Sequence, residues 1–264
     1  MDKRCCIGVF DSGVGGVSVL KQIVKLLPNE NIIYFGDTKN IPYGDKTKEE
    51  IQKLSKRIVE FLITNNCKAL VIACNTISIA TLEELKSHSN IPIIGIIDAG
   101  VEAVSSNGYS EVSVLGTAFT IKSGVHAEKI KKKNKKMTVS SVPCERLCPM
   151  IEEGWEKFEN RGEVLADYMS NVPKSSEALL LACTHYPFIQ KDIEKIFEGK
   201  IIDPSNECAR ELFRILKKED LLTTEKEKGK VEFYITGDKK SFKDKAEKFL
   251  GSEIRDIYLS LIHI

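Results

Sequence analysis

One short segment of this chain is written twice. Val71-Ile72-Ala73-Cys74-Asn75-Thr76 carries an apolar run into a cysteine and then into polar residues, and Leu180-Leu181-Ala182-Cys183-Thr184-His185 does the same. Ile96-Ile97-Asp98-Ala99-Gly100 is echoed by Ile201-Ile202-Asp203-Pro204-Ser205. More weakly, Gly8-Val9-Phe10-Asp11-Ser12-Gly13 is echoed by Ser113-Val114-Leu115-Gly116-Thr117. The spacing within the three pairs is nearly constant and their order is kept. One echo is within the reach of chance; three in order point to two related halves facing each other.

The pattern between the echoes sets the class. Ile7–Phe10, Ile32–Phe35, Leu70–Ala73, Ile93–Ile97, Val112–Leu115, Thr138–Val142, Ala178–Leu181 and Lys200–Ile202 read as strands. Val17–Leu27, Lys48–Ile63, Ile77–Leu85, Gln190–Phe197 and Glu207–Leu216 read as helices. Such alternation predicts an α/β fold: two similar domains with mainly parallel sheets flanked by helices, and an active site in the cleft between them. Val231–Thr236 and Ile254–Leu259 read as strands around a helix at Lys239–Leu250. The expected division is therefore 1–98 plus 206–264 for the first domain and 99–205 for the second. Ligands of parallel sheets gather at the carboxyl ends of strands, so the informative loops leave those ends.

Composition removes several classes. At 264 residues, 42% hydrophobic and 29% charged, the chain has enough material for two globular α/β domains and is not a disordered one. Thirty-nine basic residues against 38 acidic ones leave a net charge of +1, which is no footprint for nucleic acid or a membrane surface. The lysine run from Lys129 to Lys136 has no interleaved aromatics and reads as a solvated face. No apolar stretch approaches the roughly 18 residues of a membrane span, and no signal-peptide core precedes Ile7, so a cytoplasmic protein is expected. The eight cysteines include no C-x-x-C pair; that argues against a metal or redox centre, and none is expected.

Two of those cysteines stand apart. Cys74 and Cys183 each follow an apolar strand and precede a helical segment, where backbone N–H groups and the helix dipole favour a thiolate. Pro187 suits the first turn of the segment after Cys183. Matched thiols at equivalent ends of two facing domains suit one reaction class well: one takes a proton from a carbon and the other delivers a proton to the opposite face. Asn75, Thr76, Thr184 and His185 supply donors and acceptors beside the thiols. Cys144 and Cys148 show no such pattern and read as structural.

The loop Asp11-Ser12-Gly13-Val14-Gly15-Gly16 opens a helix after the first strand. As a nucleotide site it is a poor match, because Ser18 replaces the third glycine of the dinucleotide fingerprint, no Gly-Lys-Ser/Thr is present, and Asp11 would repel phosphate. It better suits close backbone approach plus a carboxylate that receives an ammonium group. Asp37, Thr117 and Thr120 follow other strands, and Glu152-Glu153-Gly154 offers a further carboxylate.

These segments, together with Tyr34-Phe35-Gly36-Asp37-Thr38, Pro42-Tyr43-Gly44, Leu181-Ala182-Cys183-Thr184-His185-Tyr186-Pro187 and Thr236-Gly237-Asp238, closely resemble the bacterial glutamate racemases. The resemblance runs in order over essentially the whole chain. It implies a cofactor-independent isomerase that interconverts L- and D-glutamate and supplies D-glutamate for peptidoglycan synthesis and cell-wall biogenesis. It implies Cys74 and Cys183 as the acid/base pair, Asp11 and His185 as their assistants, and supporting roles for Asp37 and Glu152. Substrate contacts carried over by the resemblance are Asp11, Ser12, Tyr43, Gly44, Asn75, Thr76, Thr117, Thr120, Thr184 and His185. Glutamate is then the small-molecule partner, with a homodimer left open. Cys144-Glu145-Arg146-Leu147-Cys148 is an unusual approach to the Glu152 segment.

Three other readings stay open on sequence alone. A racemase of aspartate or another amino acid is the nearest. A cysteine hydrolase with Cys183 as nucleophile and His185 as base leaves Cys74 without a task. A binding protein using the same cleft would need neither thiol.

Overall fold

The computed structural model describes residues 2–263. Ten strands form two sheets: β1 (Ile7–Asp11), β2 (Ile32–Gly36), β3 (Ala69–Ile72), β4 (Ile93–Gly95), β5 (Glu111–Gly116), β6 (Thr138–Pro143), β7 (Ala178–Ala182), β8 (Lys200–Ile202), β9 (Val231–Ile235) and β10 (Ile257–Leu259). The first sheet runs β10-β9-β2-β1-β3-β4 and the second β6-β5-β7-β8. Every pairing between these strands is parallel. The order β2-β1-β3-β4 is repeated as β6-β5-β7-β8, so the internal echo is one of topology; β9 and β10 extend the first sheet beyond β2.

Both faces of each sheet are covered, which is why the central strands are apolar without a break. In β1, Ile7 and Val9 face one core with Cys208, Leu212 and Phe242, while Phe10 faces the other with Ile51, Ile58 and Ile77. In β7, Leu179 and Leu181 join Trp155 and Tyr186, while Leu180 and Ala182 join Ile97 and Ile130. Period-two alternation thus feeds two cores per sheet. The helix Ser205–Lys218 returns to pack on the first sheet, as its tail of Cys208, Ala209, Leu212 and Leu216 in that core shows.

Some elements differ from the sequence reading. The expected strand Ile93–Ile97 stops at Gly95, and Ile96 begins the helix Ile96–Ser105. The echo of Ile96-Ile97-Asp98 with Ile201-Ile202-Asp203 is therefore not a structural equivalence, because Ile201 and Ile202 lie in β8. Gln190–Phe197 shortens to Gln190–Ile193 behind a 3-10 turn at Tyr186–Ile189. The lysine run lies partly on the helix Val125–Lys133, which buries His126 and Ile130 and leaves its basic residues to solvent. No helix among the described residues is long and apolar enough to cross a membrane.

Candidate active site

Cys74 ends the loop after β3 and caps the helix Asn75–His88, while Cys183 directly follows β7. The two thiols line one narrow cleft with Ser12, Tyr43, Gly44, Asn75, Thr76, Thr117, Cys148, Thr184 and His185. The topology explains the meeting: β3 and β7 hold the same place in the two sheets, and their carboxyl ends converge.

The two thiols have opposite electrostatics. Burial pushes the Cys74 thiol well above its ordinary value and the Asp11 carboxylate adds to this; the Ile77 N–H and Ser12 contacts only partly offset it. Its Sγ lies 3.8 Å from Ser12 Oγ. The helix start after Cys74 therefore does not make it a thiolate, contrary to what the sequence position suggests. Burial also opposes ionisation of Cys183, but hydrogen bonds from Cys148 and His185 and the imidazolium charge outweigh it and bring Cys183 down to about 5. The surroundings thus favour the thiol at Cys74 and the thiolate at Cys183, the asymmetry that separates an acid from a base.

His185 is the source of that charge. It is 1% exposed, with Nδ1 3.7 Å from Cys183 Sγ. Its Nε2–H donates to Glu152 Oε1 at 2.6 Å. Burial disfavours the imidazolium, yet the Cys183 and Glu152 contacts raise it well above the ordinary histidine value. Glu152 is desolvated too, but His185, the Val14 N–H and Lys245 hold it in the ionised form. The Val14 N–H donates to Glu152 Oε1 at 2.8 Å, so this carboxylate also ties the glycine-rich loop to the second sheet.

That loop needs its glycines for closeness. A Cβ at Gly13 would fall 2.1 Å from Glu152 Oε1, and one at Gly15 would fall 2.5 Å from Thr184 Oγ1 and 2.6 Å from His185 Nδ1. Asp11 is buried beneath the loop, accepting from the Gly13 N–H at 3.0 Å and from Thr184 Oγ1–H at 3.2 Å. Burial raises it to about 6, against the opposing pull of His185 and the Gly13 and Gly16 N–H groups.

The remaining polar residues divide into three groups. Thr76 Oγ1 lies 3.1 Å from Thr117 Oγ1 and 3.3 Å from Thr120 Oγ1, a hydroxyl cluster joining the two halves. Asn75 Oδ1 accepts from His126 Nε2–H at 3.1 Å, while Asn75 Nδ2 is buried without a partner among the described residues. Asp37 accepts from Tyr43 at 2.5 Å, Thr236 at 2.7 Å and Asn40 at 2.9 Å. It thus orders Tyr43, which lines the cleft, from behind.

Two residues escaped the sequence reading. Cys148, read there as structural, lies with Sγ 3.5 Å from His185 Nδ1 and hydrogen-bonds Cys183. It arrives on the helix Leu147–Glu153, which no periodicity announced. His126 steadies Asn75, and burial lowers it to about 4, so it is neutral. Its only signal was being one of four histidines.

The Asp/Glu/Hydantoin racemase family matches residues 7–212. The chain is 45% identical to a glutamate racemase of Fusobacterium nucleatum over 259 residues, 97% of this chain and 98% of that one. It is 38% identical to a glutamate racemase of Geobacter metallireducens, covering 96% of this chain and 95% of that one. The crystal structure of glutamate racemase from Francisella tularensis in complex with D-glutamate superposes with a TM-score of 0.91 at 39% identity, covering 98% of each chain. An aspartate racemase of Picrophilus torridus shares the fold, with a TM-score of 0.61 at 18% identity over 83% of this chain and 99% of that one.

Proposed function

The chain belongs to the Asp/Glu/Hydantoin racemase family, and from that premise we propose that this isomerase interconverts L- and D-glutamate by passing the α-proton between Cys74 and Cys183. The observation that supports the mechanism is the placement of the two thiols in one cleft, where burial favours the thiol form of Cys74 while Cys148 and His185 favour the thiolate form of Cys183. The Cys183 thiolate removes the α-proton of one enantiomer, its lone pair forming the S–H bond as the C–H electrons stay on Cα. The Cys74 thiol then delivers its proton to the opposite face and becomes the thiolate. That product-side form, a Cys74 thiolate with a Cys183 thiol, is the one that accepts the other enantiomer.

The developing carbanion needs electrostatic help, and fixed donors cost no reorganisation when the charge appears. Asn75 Nδ2 has an unused donor, and the hydroxyls of Ser12, Thr76 and Thr184 line the same space. In this reading they hold the substrate carboxylates, with Asp11 receiving the ammonium group. Glu152 and His185 act through Cys183, and Asp37 through Tyr43. The cleft holds about 10 Å³, room for a single water. Glutamate therefore enters only when the two lobes, 1–98 plus 206–264 and 99–205, move apart. Cytoplasmic action without a cofactor, supplying D-glutamate for peptidoglycan synthesis, completes the proposal and rests on the family resemblance.

The test is a polarimetric or circular-dichroism assay with no pyridoxal phosphate added. L-glutamate racemises, L-aspartate does not, and turnover in D₂O places deuterium at Cα. Cys74→Ala and Cys183→Ala each abolish two-way turnover. Near-normal racemisation by either variant, or product free of solvent deuterium, refutes the two-thiol route.

A further inference from the structure

Cys148 does not itself carry the α-proton, yet it completes a constellation beside the thiolate it supports. Cys148 Sγ, Cys183 Sγ and one nitrogen of His185 all lie within 4.8 Å of one another, and all three side chains are buried. Nδ1 is 3.5 Å from the Cys148 sulfur and 3.7 Å from the Cys183 sulfur. A tetrahedral ion with metal–sulfur bonds of about 2.3 Å and a metal–nitrogen bond of about 2.1 Å requires ligand-to-ligand edges of about 3.6–3.8 Å. The two sulfur–nitrogen edges already have that length, and the sulfurs lie within 4.8 Å of each other.

The surroundings match as well. His185 turns its other nitrogen to Glu152 Oε1 at 2.6 Å, the carboxylate–histidine arrangement that fixes the ring and leaves the opposite nitrogen for a metal. Two sulfurs and an imidazole select a borderline-soft divalent ion over magnesium or calcium. All three residues line the catalytic cleft, so an ion reaches them by the path the substrate uses.

We propose that Cys148, Cys183 and His185 form a binding site for Zn²⁺ or a chemically similar divalent ion, and that occupancy shuts the enzyme off. The ion takes the Cys183 lone pair that abstracts the α-proton and displaces the protons held on Cys148 and on Nδ1, releasing them to solvent. The fourth position is left to water or a substrate carboxylate. Chelation restores the free thiolate, so the inhibition is reversible. The shut-off half rests on the two-thiol reading above; the binding half does not.

Co²⁺ serves as the probe, titrated into the full-length reduced protein under a non-chelating phosphine reductant, with Zn²⁺ added afterwards as competitor. The wild type develops a thiolate-to-cobalt charge-transfer band that one equivalent of Zn²⁺ removes. Cys148→Val and, independently, His185→Asn weaken the apparent affinity at least about tenfold, whereas a Cys5→Ser/Cys6→Ser variant keeps it. No band in the wild type, or wild-type affinity retained in both cleft variants, overturns the site. Racemisation followed in the same samples falls in step with occupancy and returns on adding a chelator. Tight binding that needs Cys148 but leaves racemisation intact overturns the shut-off and, with it, the role given to Cys183, while the site itself stands.

Discussion

Replacing His185 with asparagine tests the electrostatic origin of the Cys183 thiolate. The imidazolium Nδ1 lies 3.7 Å from Cys183 Sγ. At an effective dielectric of about 20, unit charges at that separation attract by about 4 kcal/mol, equivalent to about 3 pK units. Asparagine is of similar reach and still hydrogen-bonds, but it carries no charge. Cys183 then rises from about 5 toward roughly 8, close to an ordinary thiol. The assay is the pH dependence of kcat/KM in whichever direction uses Cys183 as base. In the wild type the acid limb, where protonation of Cys183 removes the base, has its midpoint near 5. In the variant it moves up by about 3 units, so turnover at neutral pH drops about tenfold and recovers at alkaline pH. An acid limb that stays in place refutes the reasoning. So does a loss that is equal at every pH, since that would give His185 a task other than holding the thiolate.

Three further outcomes are expected. Gly15→Ala pushes a methyl group to within 2.5 Å of Thr184 Oγ1 and 2.6 Å of His185 Nδ1; a displacement of this size at the reacting groups costs about a hundredfold in kcat/KM, and a steady-state assay beside a thermal melt separates it from unfolding. Asp11 titrates near 6 in the fold against an ordinary 3.8, so the fold prefers the protonated carboxyl; its contribution is fully present below about 4 and is lost as pH rises to about 6. Asp11→Asn should therefore gain about 3 kcal/mol on the wild type between pH 4 and pH 7 by denaturant unfolding, and an unchanged difference contradicts the assignment. Lys68, fully buried, donates to Glu30, which also accepts from the Thr223 N–H. Lys68→Met strands that carboxylate at a cost of about 3–5 kcal/mol, and adding Glu30→Leu should recover much of it in a double-mutant cycle.

The sequence made Cys74 and Cys183 legible because a loop that follows an apolar strand sits at a predictable end of a parallel sheet. The alternation of strands and helices carried the class for the same reason. Contacts between the halves were a different matter. Glu152 entered the sequence reading through family likeness and as one acidic candidate among many; its bonds to His185 and Val14 depend on how the two sheets face each other. Cys148 reaches Cys183 on a seven-residue helix too short to show a period. A helix start favours a thiolate at Cys74, but that local effect is outweighed by burial, which depends on the packing of the two halves. Ile96 and Ile97 look like strand residues and pack as helix residues, since their apolar side chains serve either geometry.

The first sheet is assembled from two distant stretches of chain, and this has a consequence for synthesis. Strands β5 to β8 come from one uninterrupted stretch, whereas β2 acquires its outer neighbour only when β9 has been made. A chain emerging from the ribosome can thus finish the sheet bearing Cys183 while the sheet bearing Cys74 still has an open edge. It also still lacks Leu212 and Leu216 in its core until the helix Ser205–Lys218 has emerged. The first sheet is completed only after both cysteines have been made, so a polypeptide interrupted before β9 carries both thiols while the sheet behind Cys74 is unfinished.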